Sequence, residues 1–197
     1  MVLNLRESAD EIKMSKHWYL VSSLPVLRLG EKPAMSVDAF RAACDGHLSD
    51  DEIAAIEAVL ENREPPHGLA SKHWNAEVQL RDAVVRVRAK NRGTDASLFL
   101  EPYEGFSVAI EKQVTDAFAR PNPLEQELAL DEARWMLADE IALAEPFGFS
   151  GLLAFAIKVR MAERWAGLDE TIAQEKVEEF VLSALEESKP VETELKN

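Results

Sequence analysis

Residues 149–166, FSGLLAFAIKVRMAERWA, are apolar on nearly every side of a helix and lie between Gly148 and Gly167. A helix with no broad polar face is stable only when others surround it, so the rest of the chain must wrap this one. The longest apolar run, 146–157, is broken by Gly148, Ser150 and Gly151. It falls well short of the ~20 residues that cross a bilayer. The expectation is a soluble, all-α, multi-helix bundle of about seven helices, with 149–166 at its centre and Phe155 and Trp165 in its core.

Helix punctuation divides the remaining sequence. Ser36 opens a short helix with Asp38 in its first turn and Val37, Phe40 and Cys44 on one face, and Gly46 closes it. Ser49 with Asp50, Asp51 and Glu52 spells a capping box. A long helix over 71–92 ends at Gly93, and a short helical segment is expected at 95–100. Another helix spans 106–119. Asn122-Pro123-Leu124-Glu125 starts a helix to about Glu145, with Asn as N-cap and Pro at the first helical position. Ser150 reads as a helix N-cap, and a last helix runs from 168 to about 188. Residues 17–24, HWYLVSSL, carry two readings: a short strand, from their β-branched and aromatic content, or a buried first helix.

The expected organisation is one helical domain over 14–188, with seams at 65–68 or 120–123. Residues 1–13 form a loose extension and 189–197 a frayed tail. The first residues lack the basic start and apolar run of a signal peptide. Met14 reads either as an alternative start or as part of a short amphipathic turn.

Lys plus Arg number 22 against 36 Asp plus Glu, a net charge of -14. That balance argues against a nucleic-acid binder and against broad docking on anionic lipid. A single cysteine excludes a disulfide scaffold and points to a reducing, cytoplasmic compartment. The eight glycines form no phosphate-cradling loop. His17, His47, His67 and His73 show no metal-ligand spacing, and Pro65-Pro66 deny Glu64 and His67 a shared helix. Gly148-Phe149-Ser150-Gly151 lacks the last glycine of a nucleophile elbow. Cys44 reads as a small core residue. Asp131-Glu132 and Asp139-Glu140 read as a solvated acidic ridge. The pattern points to a non-catalytic protein without metal or cofactor.

The exception to acidity is 81–92, with Arg81, Arg86, Arg88, Lys90 and Arg92 against Asp82 alone. Either these are a solvated helix end whose cations suit the C-terminal dipole, or they form an interface for an acidic partner surface. Arg160 and Arg164, spaced i, i+4, share a face of the apolar helix and need carboxylate or carbonyl partners, for which the acidic 120–197 half is the obvious source.

Trp18-Tyr19-Leu20-Val21-Ser22-Ser23-Leu24-Pro25 resembles the opening of a bacterial family of unknown function whose members begin Tyr-Tyr-Leu-(Val or Ile)-(Ala or Ser)-Ser-Leu-Pro. LAFAIKVRMAERW, 153–165, is similar to that family's late helix. The family's genes lie beside those of A/V-type rotary ATPase subunits. Ala89-Lys90-Asn91-Arg92-Gly93 before a short helix also resembles the Lys-x-x-Gly element of that ATPase's C-type socket protein, called d in eukaryotes, an all-helical piece between rotor stalk and membrane ring. The socket protein is longer and built of three related lobes, whereas this chain shows no repeat. The resemblance implies a peripheral, non-catalytic component in ion transport. Its partners would be stalk or membrane-ring subunits, and it would reach the inner membrane only through them. The alternative is a stand-alone helical adaptor or regulator, for which a self-complementary surface would give a homodimer.

Overall fold

The computed structural model describes residues 17–168 apart from His67 and Leu69. The extension at 1–13, the question of Met14, the last helix from 168 to 188 and the tail at 189–197 therefore lie outside the described residues, save Leu168. The described residues form seven α-helices: α1 Trp18–Ser23, α2 Val37–Cys44, α3 Asp50–Leu60, α4 Ser71–Arg92, α5 Val108–Phe118, α6 Pro123–Ala142 and α7 Phe149–Ala166. A 3₁₀ turn at Ser97–Phe99 replaces the longer segment expected at 95–100.

Local chemistry explains the boundaries. The Ser36 side chain accepts from the Ala39 N–H, and Glu52 reaches back to the Ser49 N–H at 2.8 Å, completing the capping box. Gly93 ends α4 with φ 67°, a left-handed cap that a side chain resists. Asn122 caps α6 by accepting from the Glu125 N–H, with Pro123 at the first turn. That helix stops at Ala142, short of the expected Glu145. Pro146 disfavours helical geometry in the residue before it, and the helix ends ahead of that point. The N-cap of α7 is Gly148, which corrects the expectation for Ser150.

The strand reading of 17–24 is also corrected. The Val21 N–H donates to the His17 carbonyl at 2.9 Å, and the Ser23 hydroxyl donates to the Leu20 carbonyl at 2.7 Å. A strand needs a neighbour to complete its hydrogen bonds, and the described residues contain none. What this segment has instead is a core to bury Leu20 against.

Two hydrophobic clusters organise the helices. In the first, Leu20, Phe40, Ile56 and Val59 from α1–α3 pack on Leu152, Phe155 and Val159 of α7, with the Phe40 and Phe155 rings 5.0 Å apart. Glu163 of α7 accepts from the Val37 N–H at the start of α2, and His17 Nε2 lies 3.1 Å from the buried Glu52 carboxylate. In the second cluster, Leu80 and Val84 of α4 meet Ile110 and Val114 of α5 and Leu130 of α6. Helix α6 joins the two, since its Ala138 belongs to the first cluster and its Leu130 to the second. The break at 65–68 falls between α3 and α4, and 120–123 covers the end of the α5–α6 connection and the first residue of α6. No described helix is long and apolar enough to cross a membrane.

Candidate functional site

Helix α4 is the longest described element, and the chain leaving it is built unusually. Between Gly93 and α5 the backbone is hung on α4 by polar side chains. The Glu101 N–H donates to Asp82 Oδ1 at 3.2 Å and the Glu104 N–H to Asn75 Oδ1 at 2.9 Å. Gln79 grips Ser107 twice: its Oε1 accepts from the Ser107 N–H at 2.9 Å, and its Nε2 donates to the Ser107 carbonyl at 2.8 Å. Gln79 and Asp82 are buried, so these bonds form in a shielded setting where they hold a fixed geometry. Leu98, Phe99 and Phe106 of this segment, and Val108 at the start of α5, meanwhile face outward. Leu98 is 83% exposed, Phe99 and Phe106 66% each, and Val108 73%. The result is a fixed apolar display, which is how a docking surface is built.

The five basic residues singled out in the sequence do not form one strip. Arg86 and Lys90 share one side of α4, while Arg81, Arg88 and Arg92 recur along another. Arg81 turns inward, stacking over the Trp74 ring at 4.6 Å with its Nε 3.6 Å from Glu77 Oε1. Its Nε and Nη2 atoms are buried without a hydrogen-bond partner. Arg86 pairs with Glu111 at 2.6 Å and Arg88 with Glu127 at 3.2 Å, so each ties α4 to its neighbours. Lys90 and Arg92 are exposed and pair with no carboxylate among the described residues. They stand at the base of the apolar loop, with favourable placement at a helix C-terminus.

A second polar arrangement was not apparent from the sequence. Asp131, expected on a solvated ridge, is 1% exposed. Its carboxylate accepts from Arg134 at 2.9 Å, from Arg164 and from the Trp165 indole N–H at 2.7 Å. Arg134 also grips Glu77 through Nε at 3.0 Å. This corrects the ridge for Asp131, while Asp139 does stay exposed, bonded to Lys158. Trp165, expected in the core, is only half-buried and serves Asp131, whereas Phe155 is buried. Arg164 takes its partner from the acidic half as expected, but Arg160 instead donates to the Val59 carbonyl at the end of α3, at 2.7 Å. The signals were an Arg at i+3 from Asp131 and two arginines on an apolar helix. A cavity of about 320 Å³ opens among Glu77, Glu127, Asp131, Arg134, Arg160 and Arg164. Three donors take most of the acceptor capacity of Asp131, so this carboxylate works as a clamp between α6 and α7.

Cys44 is buried as expected, and burial, helped by the Glu57 charge, pushes its thiol up to about 11. A thiol held protonated is a poor nucleophile. Among the described residues no three His, Cys, Asp or Glu side chains gather as a metal-holding group. The chain matches no protein-family model, no curated protein and no solved structure.

Proposed function

We propose that the chain is a non-catalytic accessory or central-stalk-type component of an A/V-type rotary ATPase. On this reading it is cytoplasmic and peripheral, held near the inner membrane by other subunits. The observation that carries it is the pinned loop: Leu98, Phe99 and Phe106, beside Val108 at the start of α5, are held outward by partly buried polar bonds from α4. Apolar surface rimmed by charge is what a partner protein covers. The exposed cations at its base, Lys90 and Arg92, suit an acidic partner face. This surface includes the segment that resembles the ATPase's socket protein, 89–93 followed by the Ser97–Phe99 turn. The other two segments of the resemblance meet in one core, where Leu20 and Val21 of α1 pack with the apolar side of α7.

Affinity capture of the full chain from native detergent-solubilised membranes, read by mass spectrometry at two salt concentrations, tests the proposal. Stoichiometric recovery of stalk or ring subunits is expected, and the double variant Phe99→Ser, Phe106→Ser should lose it while staying helical. Recovery of the chain alone, or only with a second copy of itself, sinks the ATPase reading and leaves the stand-alone adaptor.

A further inference from the structure

We propose that the cavity between the start of α4, the end of α6 and the start of α7 binds an uncharged, mainly apolar small molecule through a single hydroxyl group. Its volume is about 490 Å³, larger than that of the cavity beside Asp131. Ala76 of α4, Leu137 and Ile141 of α6 and Leu153 of α7 give it a mainly apolar lining. Size and lining are those of a small-molecule site. A dry cavity of about 150 Å³ already holds benzene, so this one admits a substituted ring or a chain of several carbons. It lies at the opposite end of α4 from Gly93 and the exposed loop, and so is independent of the ATPase reading.

His73 sets the chemistry of the ligand. It lines the cavity, is only 6% exposed, and has its Nδ1 buried with no hydrogen-bond partner. Other buried polar side chains are answered within the chain: Gln79 by Ser107, Asp82 by the Glu101 N–H, and Asp131 by Arg134 and Trp165. A buried nitrogen left unmet is unfavourable, and a ligand that meets it removes the penalty. The χ2 torsion of histidine is broad and roughly two-fold, so the ring can turn Nδ1 toward such a ligand. An ordered water needs two to four polar partners, and beside the apolar walls Ser150 is the other neutral polar side chain on offer. Burial lowers the His73 pKa to about 4, so the ring is uncharged at neutral pH. An uncharged imidazole has one donor and one acceptor nitrogen, and a hydroxyl meets either. A charged ligand finds no surplus of opposite sign, because Lys72 and Glu140, exposed where the lining meets solvent, offset each other.

Thermal unfolding and nitrogen NMR of the histidine side chains test this on the full chain. The probes are para-propylphenol and n-hexanol, with para-propylbenzoate as the charged control. At least one hydroxyl probe should raise Tm saturably and shift the imidazole nitrogen signals of His73. Whichever acts should bind about tenfold more tightly than its parent hydrocarbon, propylbenzene or hexane, as one shielded hydrogen bond provides. His73→Phe should remove that preference. Ala144→Phe, at an exposed position of the lining, should weaken every ligand by narrowing the cavity. A response to the phenol alone makes the ligand aromatic, to hexanol alone aliphatic, and to both a molecule read by size and hydroxyl only. No saturable response to either probe, equal affinity for the hydrocarbons, or tighter binding of the benzoate overturns the proposal. Should His73→Phe not fold, the wild-type signals decide: His73 nitrogens that stay in place at saturation overturn it equally.

Discussion

His73 illustrates how one residue's chemistry depends on elements distant in sequence. It is buried on α4 with Nδ1 lacking a hydrogen-bond partner. Burial lowers its pKa to about 4, with Glu77 opposing and the Arg160, Arg134 and Arg81 charges adding to the fall. The folded state thus binds fewer protons than the unfolded chain between about pH 6.5 and 4. Stability from this group is complete above the unfolded pKa and is lost as pH falls through that window. The loss amounts to about 3 kcal/mol by pH 4. Urea midpoints at pH 7 and pH 4.5 should therefore diverge for the wild type and converge markedly in His73→Gln; matching pH profiles would show that His73 is not the titrating group. Nothing local to 71–92 signals this shift, because two of the three guanidiniums that act on His73 come from α6 and α7. The burial of Asp131 is hidden in the sequence for the same reason. Its neighbour Glu132 is exposed, and only the tertiary meeting of α6 with α7 turns Asp131 onto Arg164 and Trp165.

Elements are the most legible scale, because caps are local. Ser36, Ser49, Gly93 and Asn122 each act where their spacing to the next few residues places them. Residues 17–24 mislead because composition says nothing about a pairing partner: β-branched and aromatic residues suit any half-buried surface. Two glycines separate local from tertiary demands. Gly93 needs its positive φ but has open space around it, so Gly93→Ala should cost about 1 kcal/mol and Gly93→Asn less. Gly151 has ordinary helical backbone, yet an added Cβ would lie 2.3 Å from the Pro146 carbonyl oxygen. Gly151→Ala forces backbone apart and should cost about 1–3 kcal/mol, with Gly151→Asn no better. Chemical denaturation of the four variants checks this, and an Asn that rescues at 151 would refute the steric account. In the sequence Gly151 stands out as a break in the apolar run and as part of a broken nucleophile elbow; the close approach of the 146 carbonyl is what requires it.

At the scale of the whole molecule, a helical bundle around 149–166 and a basic end to α4 are legible in the sequence, but the division of work among the cations is not. Arg86 and Arg88 are already engaged with Glu111 and Glu127, which lie on α5 and α6. Reversing both to Glu sets like charges against each other within the chain, and each half-exposed pair contributes at most about 1 kcal/mol. Any loss of binding in that variant would be mixed with a loss of stability. Lys90 and Arg92 have no such intramolecular duty among the described residues, so they are the cleaner probes. Lys90→Glu, Arg92→Glu should leave the urea midpoint within about 0.5 kcal/mol of wild type. It should also slow association with a partner captured as proposed and flatten its salt dependence, because rim charges act chiefly by steering encounter. Association rates measured over a range of salt concentrations decide the matter. If this pair leaves the rates unchanged while Phe99→Ser, Phe106→Ser abolishes binding, the apolar loop alone makes the contact and the basic end of α4 is a solvated terminus.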